Sequence, residues 1–247
     1  MPPPPAFEAR LESARLLTPS VRELVFERVD AEPMAFEAGQ WVNVLLPIAS
    51  GNGEATIKRS YSIASAPNGS PRFEIAVTRV ERGPASTWLH SVSPGAVLPF
   101  TGPQGFFTRT LASAAPSLMI ATGTGVTPLR SMMRSALAAG YRQPVWLLLG
   151  VRREHDLLYA DELRAAVEAS DFVRFEPTLS QPAQEWSGRR GYVQTHVREL
   201  WRALESLSPV PPHAYVCGLH RMVASVREVL RTELGAAREQ VHSERYD

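Results

Sequence analysis

The sequence of 247 residues holds a single cysteine, Cys217, and a single lysine, Lys58. One cysteine excludes a disulfide within the chain, and it excludes an iron–sulfur cluster held by four thiolates of this chain. The histidines (His90, His155, His196, His213, His220 and His242) show neither His-x-x-x-His spacing nor a Cys-x-x-Cys companion. No metal site is therefore expected. A charge excess is also missing. The formal net charge is +1, which offers no broad attraction to nucleic acid or to anionic lipid. No apolar run approaches the ~20 residues that span a bilayer, so no membrane insertion is expected. The opening stretch, Met1 to Arg10, lacks the basic and apolar regions of a secretory signal. Its four consecutive prolines predict a short extended tail, disordered over residues 1–6. The expected location is the cytoplasm. Of 26 basic residues all but Lys58 are arginine, and 21 prolines accompany them; the pairing reads as the coding bias of a GC-rich genome.

Apolar residues make up 44% and charged residues 21%, ordinary for a globular chain with a full core. The length allows one or two domains, and the residue pattern changes once. In the first half, Ala9–Pro19, Ser20–Asp30, Gly39–Ile48, Ile57–Ser65 and Arg72–Val80 alternate apolar and polar residues between turn signals. Pro84–Val92 is a helix-like insert, and Ala96–Phe107 closes the series. Short alternating strands of this kind predict an antiparallel barrel or sandwich. In the second half, continuous apolar strands (Ser117–Gly123, Pro144–Val151, Phe172–Ser180, His213–Gly218) alternate with amphipathic helices (Thr127–Gly140, Asp156–Ser170, Thr195–Leu204, His220–Gly235). Gln240–Tyr246 is a terminal strand. That alternation predicts a parallel sheet covered on both faces, a doubly wound α/β domain. The boundary falls near Leu111–Ser117, giving domains of residues 1–112 and 113–247.

Four stretches carry residues suited to chemistry. A buried strand ends at Ala121 and runs through Thr122 into Gly123-Thr124-Gly125, with Pro128 at the start of a helix. Glycines there admit a close ligand, and free helix-start amides attract a pyrophosphate. By itself Gly-x-Gly-x-x-Pro suits a plain glycine turn equally well. Cys217 and Gly218 sit at the carboxyl end of another parallel strand, the edge along which open sheets bind ligands. In Ile57–Ser65, Arg59 offers a forked phosphate contact. Tyr61 offers a flat ring with a hydroxyl, and Ser60 and Ser62 offer hydroxyls on the opposite side of the strand. An edge strand with solvated hydroxyls is the plainer reading. Gly83, Ser86 and Thr87 open a short helix, where hydroxyls either cap or face a phosphate.

In this order the motifs resemble the ferredoxin–NADP reductase superfamily of flavoproteins, from about Leu11 to Tyr246. Arg59-Ser60-Tyr61-Ser62 is similar to its Arg-x-Tyr-Ser flavin motif, and Gly83–Leu89 to its Gly-x-x-Ser-x-x-Leu phosphate loop. Gly123–Pro128 is similar to its nicotinamide-nucleotide loop, Cys217-Gly218 to its Cys-Gly, and Glu244-Arg245-Tyr246 to its terminal Glu-x-aromatic. The chain ends on Asp247, where plant-type members end on the aromatic. The resemblance implies a Greek-key flavin barrel, with FAD expected over FMN, followed by a domain for NADPH or NADH. It implies that Arg59 holds the flavin pyrophosphate, Tyr61 packs on the isoalloxazine and Ser62 lies near N5. Ser60, Ala76, Val77, Gly83, Ser86 and Thr87 complete the flavin site, and Tyr246 covers the other ring face. Thr122, Gly123, Thr124, Gly125, Pro128, Arg152, Ser180, Arg189, Gly218 and Met222 would bind NAD(P). Ser62, Cys217 and Glu244 would stand at the reacting atoms. The implied activity is an NAD(P)H-dependent flavin oxidoreductase, a monomer feeding a separate ferredoxin, flavodoxin or oxygenase component. Two alternatives remain open at this stage. One is a reductase of free flavin or ferric chelates; the other is a flavin-binding subunit without turnover of its own. Arginines near the ribose lean the choice of nucleotide towards NADPH.

Overall fold

The computed structural model describes residues 4–50 and 53–246. It divides into two compact units. One comprises Met1–Arg109 with Arg130–Ser135, and the other Thr110–Leu129 with Ala136–Asp247.

The first unit is a six-stranded antiparallel sheet. Its strands are β1 (Ala6–Thr18), β2 (Val21–Arg28), β3 (Trp41–Ser50), β4 (Gly53–Ser62), β5 (Arg72–Thr78) and β6 (Val97–Gln104), in the order β4-β3-β6-β1-β2-β5. Helix α1 (Pro84–Ser91) is inserted between β5 and β6. The alternation seen in sequence sorts the two faces: Val42, Val44 and Leu46 of β3, and Phe73, Ile75 and Val77 of β5, are fully buried. Four phenylalanine rings interlock in this core. Phe100 meets Phe26 at 5.0 Å and Phe73 at 5.2 Å, both edge to face, the arrangement that the ring quadrupole favours. The outermost strands meet again just past β4. There the Ala64 N–H donates to the Glu74 carbonyl (2.7 Å) and the Glu74 N–H donates to Ser65 Oγ (3.2 Å). The sheet thus curls towards a barrel.

The second unit is a parallel sheet. Its strands are β7 (Ser117–Thr122), β8 (Val145–Val151), β9 (Val173–Leu179), β10 (Arg189–Arg190), β11 (His213–Leu219) and β12 (Val241–Tyr246), in the order β10-β9-β8-β7-β11-β12. Its helices are α3 (Ala160–Glu168), α4 (Val197–Leu207), α5 (His220–Glu228) and the two ends of α2 (Val126–Ala138), whose middle, Arg130–Ser135, belongs to the first unit. The chain winds outward from β7 to β10 and then returns to lay β11 on the other side of β7. That reversal is a topological switch point, where an open sheet leaves a crevice at its carboxyl edge.

Some details depart from the sequence reading. Strand β1 begins inside the expected tail: Ala6 pairs with Thr101, and the Gly102 N–H donates to the Pro5 carbonyl. Met1–Pro3 lie outside the described residues. Strand β10 was not anticipated, since two residues carry no periodicity. Helix α4 begins at Val197, after a tight turn over Val193–Thr195, and α5 passes into a wider turn over Val229–Glu233. Among the described residues no helix is long and apolar enough to cross a membrane. Phe73→Ala should lower stability to urea by about 3–5 kcal/mol, the cost of a large cavity. Phe106→Ala should change it little, because that ring is 92% exposed; equal losses would refute this account of the core.

Candidate functional site

Strand β4 carries the first group of residues. Pairing with β3 sets Arg59 opposite Val44, Ser60 opposite Asn43, Tyr61 opposite Val42 and Ser62 opposite Trp41. Arg59 is exposed, and its Nη1 donates to the Lys58 carbonyl. Tyr61 packs on the barrel core. Burial pushes its phenol up to about 12, against a smaller opposing pull from the Arg59 charge, so it stays a hydrogen-bond donor. Ser60 Oγ donates to Asn43 Oδ1 (2.9 Å), whose amide donates on to Thr101. Ser62 is buried. On β5, Ala76 and Val77 are also buried, and His90 of α1 faces the Val77 carbonyl at 2.8 Å.

The start of α1 is built differently from the expectation. Ser86 is buried, and its hydroxyl accepts from the Val80 N–H (3.0 Å) and contacts the Gly83 carbonyl (3.1 Å). It closes the loop rather than projecting from it. The Thr87 N–H is bonded to the Gly83 carbonyl, and its side chain is exposed.

The switch point gathers the second group. Strand β7 ends at Thr122, and Gly123 follows with φ +52°, a left-handed conformation that favours glycine. Nothing lies within 4 Å of where a Cβ on Gly123 would point, so the loop is open there. Gly125 has the opposite constraint: an added Cβ would stand 2.2 Å from the Cys217 carbonyl. Helix α2 follows with Pro128 in its first turn, where a missing amide hydrogen costs nothing. Thr127 Oγ1 donates to the Thr124 carbonyl (2.8 Å). Across the sheet, Cys217 sits opposite Ala121 on one side and Glu244 on the other, and Gly218 sits opposite Arg245. Met222 of α5 packs over Gly218. Burial first, and the Glu244 charge second, raise the Cys217 thiol well above its usual range, while a hydrogen bond with Tyr246 works the other way. Cys217 is therefore a neutral thiol. The Tyr246 hydroxyl also lies 3.4 Å from Thr127 Oγ1. Thr122 Oγ1 is buried with no hydrogen-bond partner.

The residues proposed for a 2′-phosphate divide. Arg152 and Ser180 follow β8 and β9 at the same carboxyl edge. There the Ser180 N–H bonds the Val151 carbonyl and the Gln181 N–H the Arg152 carbonyl. Arg152 is exposed, and no carboxylate among the described residues pairs with it. Arg189 is bound to Glu176 (2.8 Å) and, through both terminal nitrogens, to Glu199 (2.7 Å each). Those two carboxylates raise its pKa further, the Glu199 hydrogen bond first among the causes. Its charge is already answered inside the unit. A hollow of about 540 Å³ beside Trp186 includes Arg189, but none of Thr122–Gly125 or Cys217–Leu219 lines it.

Sequence reasoning missed Thr127, Arg130 and Glu74. Arg130 is 3% exposed and bonds Glu74 Oε2 at 2.5 Å. Its only signal is its place on the helix that begins at the glycine loop.

Models of an oxidoreductase FAD-binding domain and an oxidoreductase NAD-binding domain match residues 8–108 and 119–228. The chain is 57% identical to ferredoxin–NADP reductase B of Sorangium cellulosum over 98% of both chains. It is 32% identical to the electron transfer component XylA of the xylene/toluene monooxygenase of Pseudomonas putida, over 89% of this chain and 60% of that one. Its fold matches a ferredoxin NADP+ reductase of Neisseria gonorrhoeae solved with bound FAD and NADP, with a TM-score of 0.82 at 23% identity, covering 97% and 98% of the two chains. The buried neutral Cys217 makes a direct prediction. A disulfide reagent at pH 8 should label none of the native protein and one thiol after unfolding. Rapid labelling of the native protein would contradict the burial.

Proposed function

Because this chain belongs to the ferredoxin–NADP reductase family, we propose that it draws on NADPH in preference to NADH and serves a separate one-electron acceptor protein. It is an oxidoreductase that passes electrons from NAD(P)H through FAD to an acceptor. The observation that carries this reading is 57% identity along 98% of a ferredoxin–NADP reductase. That relative's name makes a ferredoxin the first acceptor to test. A flavodoxin or an oxygenase component is the next, given the likeness to a monooxygenase electron-transfer component. A cytoplasmic monomer fits the same reading.

The residues present suit both cofactors. An orphaned hydroxyl at Thr122 and an open loop at Gly123 are what a nucleotide would complete. An exposed guanidinium beside a protonated phenol is what a flavin phosphate and ring would meet. When bound, FAD supplies hydride acceptance and the release of single electrons, chemistry that side chains lack. The chain's own work is positioning. Arg59 holds the flavin pyrophosphate by a charged fork, Tyr61 presents its ring, and Ser62 holds the reacting edge. At α1 the amides of Ala85 and Ser86 bind phosphate, since the Ser86 hydroxyl is already engaged. Gly123, Thr124 and Gly125 receive the nucleotide pyrophosphate on backbone amides. Cys217 offers the nicotinamide a small, uncharged contact, with Glu244 beside it. The Tyr246 hydroxyl is anchored on Thr127 and Cys217.

Arg152, not Arg189, reads the 2′-phosphate in this proposal, because it is exposed and no carboxylate among the described residues answers it. Loss of one charge-assisted contact is worth about 1.5–3 kcal/mol. Arg152→Ala should therefore raise KM for NADPH about ten- to a hundredfold and leave NADH unchanged. Arg189→Ala should weaken the unit without discriminating between the nucleotides. The opposite pattern in steady-state ferredoxin reduction would overturn the assignment.

A further inference from the structure

The stretch that follows β4 has a backbone problem. Ile63 and Ala64 are fully buried and Ser65 nearly so, and the strand pairing of β4 with β3 stops at Ser62. Carbonyls here need partners, since an unpaired buried acceptor costs about 1–3 kcal/mol. Two adjacent side chains of α2 supply them. Arg130 Nη1 donates to the Ala64 carbonyl at 2.9 Å, and Ser131 Oγ donates to the Ser65 carbonyl at 2.6 Å. Arg130 and Ser131 belong to the first unit, with the sheet they bind. Both are buried, at 3% and 0% exposure.

Glu74 completes the arrangement. It sits on the outward face of β5, between the inward Phe73 and Ile75. Its carboxylate accepts from Arg130 at 2.5 Å, its carbonyl accepts from the Ala64 N–H, and its own N–H donates to Ser65 Oγ. The peptide groups of Ala64 and Ser65 are thus tied from two sides, one and two residues after Ile63. A charged pair with a buried guanidinium and a half-buried carboxylate is a weak source of net stability. What the pair does supply is a fixed geometry for a short backbone segment whose N–H side is held by β5 and whose Ala64 carbonyl is held by Arg130.

We propose that Arg130 is a positioning residue for the flavin. With Ser131 and Glu74 it locks the segment Ala64–Ser65, and so fixes how Tyr61 and Ser62 present themselves to the ring. This rests on the reading that Tyr61 and Ser62 form the flavin site. Arg130 touches no cofactor in this account. It acts through the Ala64 carbonyl and the Glu74 carboxylate.

The test uses the FAD-loaded full chain and three variants. Arg130→Lys keeps the charge but shortens the side chain and gives up the rigid guanidinium that holds Nη1 against both the Ala64 carbonyl and Glu74. Ser131→Ala removes a single hydroxyl with little change of volume. Arg59→Ala serves as the control for the site itself. In both α2 variants the visible circular dichroism of the bound flavin should change, and its reduction potential should shift. The rate of anaerobic reduction per bound flavin should fall about ten- to a hundredfold, as displaced reacting groups require, while KM for NADPH stays within about twofold. Ser131→Ala should show the smaller effect. Should both variants melt at a lower temperature yet keep the wild-type flavin spectrum, potential and rate per flavin below that temperature, the residues are structural only and the inference fails. The site reading itself fails separately, if Arg59→Ala leaves FAD affinity unchanged.

Discussion

A parallel sheet whose strand order reverses between β7 and β11 cannot cover its own carboxyl edge at that point, and the rest of the second unit is arranged around this fact. The reversal sets the Gly123 loop beside Cys217, and Gly125 must be glycine because the Cys217 carbonyl lies against it. Strand β12 then adds Glu244 and Tyr246 to the same edge. Backbone sterics, not side-chain recruitment, bring these residues together. The chemistry they permit follows from their surroundings. Burial keeps the thiol protonated, and the tyrosine hydroxyl is held by two neighbours.

The first unit solves a different problem with a different device. A curled antiparallel sheet has pairing for most of its backbone, but where β4 runs out the Ala64 and Ser65 carbonyls take side-chain donors instead. Side chains of α2 complete the pairing, and the segment they fix is the continuation of the strand bearing Arg59, Tyr61 and Ser62. The strand proposed to meet the flavin is tied by hydrogen bonds where it enters the core and exposed at Arg59. A ligand site needs both properties: fixed groups, and surface left to bind.

The change from a period of two to buried strands alternating with helices made the two-part architecture legible, because each pattern reports which faces are buried. Chemical motifs were legible where a residue type has few other uses, as with glycine pairs at a strand end. Contacts that depend on distant convergence were not. Nothing local says that Glu176 and Glu199 close on Arg189 from either side in the sequence, so an arginine that looked available for phosphate is engaged. Ser86 looked like a phosphate ligand for the same reason, and its partner Val80 is a loop carbonyl and amide without any sequence mark. Arg130 lies on an amphipathic helix, where arginine ordinarily marks the wet face. Only the fold shows that it points inward. The pairing of Ala6 with Thr101 escaped notice because prolines mask a strand start.

The central claim is that the chain carries FAD and accepts a hydride into it from NADPH. Anaerobic rapid mixing of the purified protein, with its flavin content assayed beforehand, tests this most directly. The account predicts about one FAD per chain and prompt bleaching of its visible absorbance by NADPH, with slower bleaching by NADH at equal concentration. A protein that retains no FAD when supplied with it, or whose bound flavin stays oxidised in the presence of either nucleotide, would contradict it.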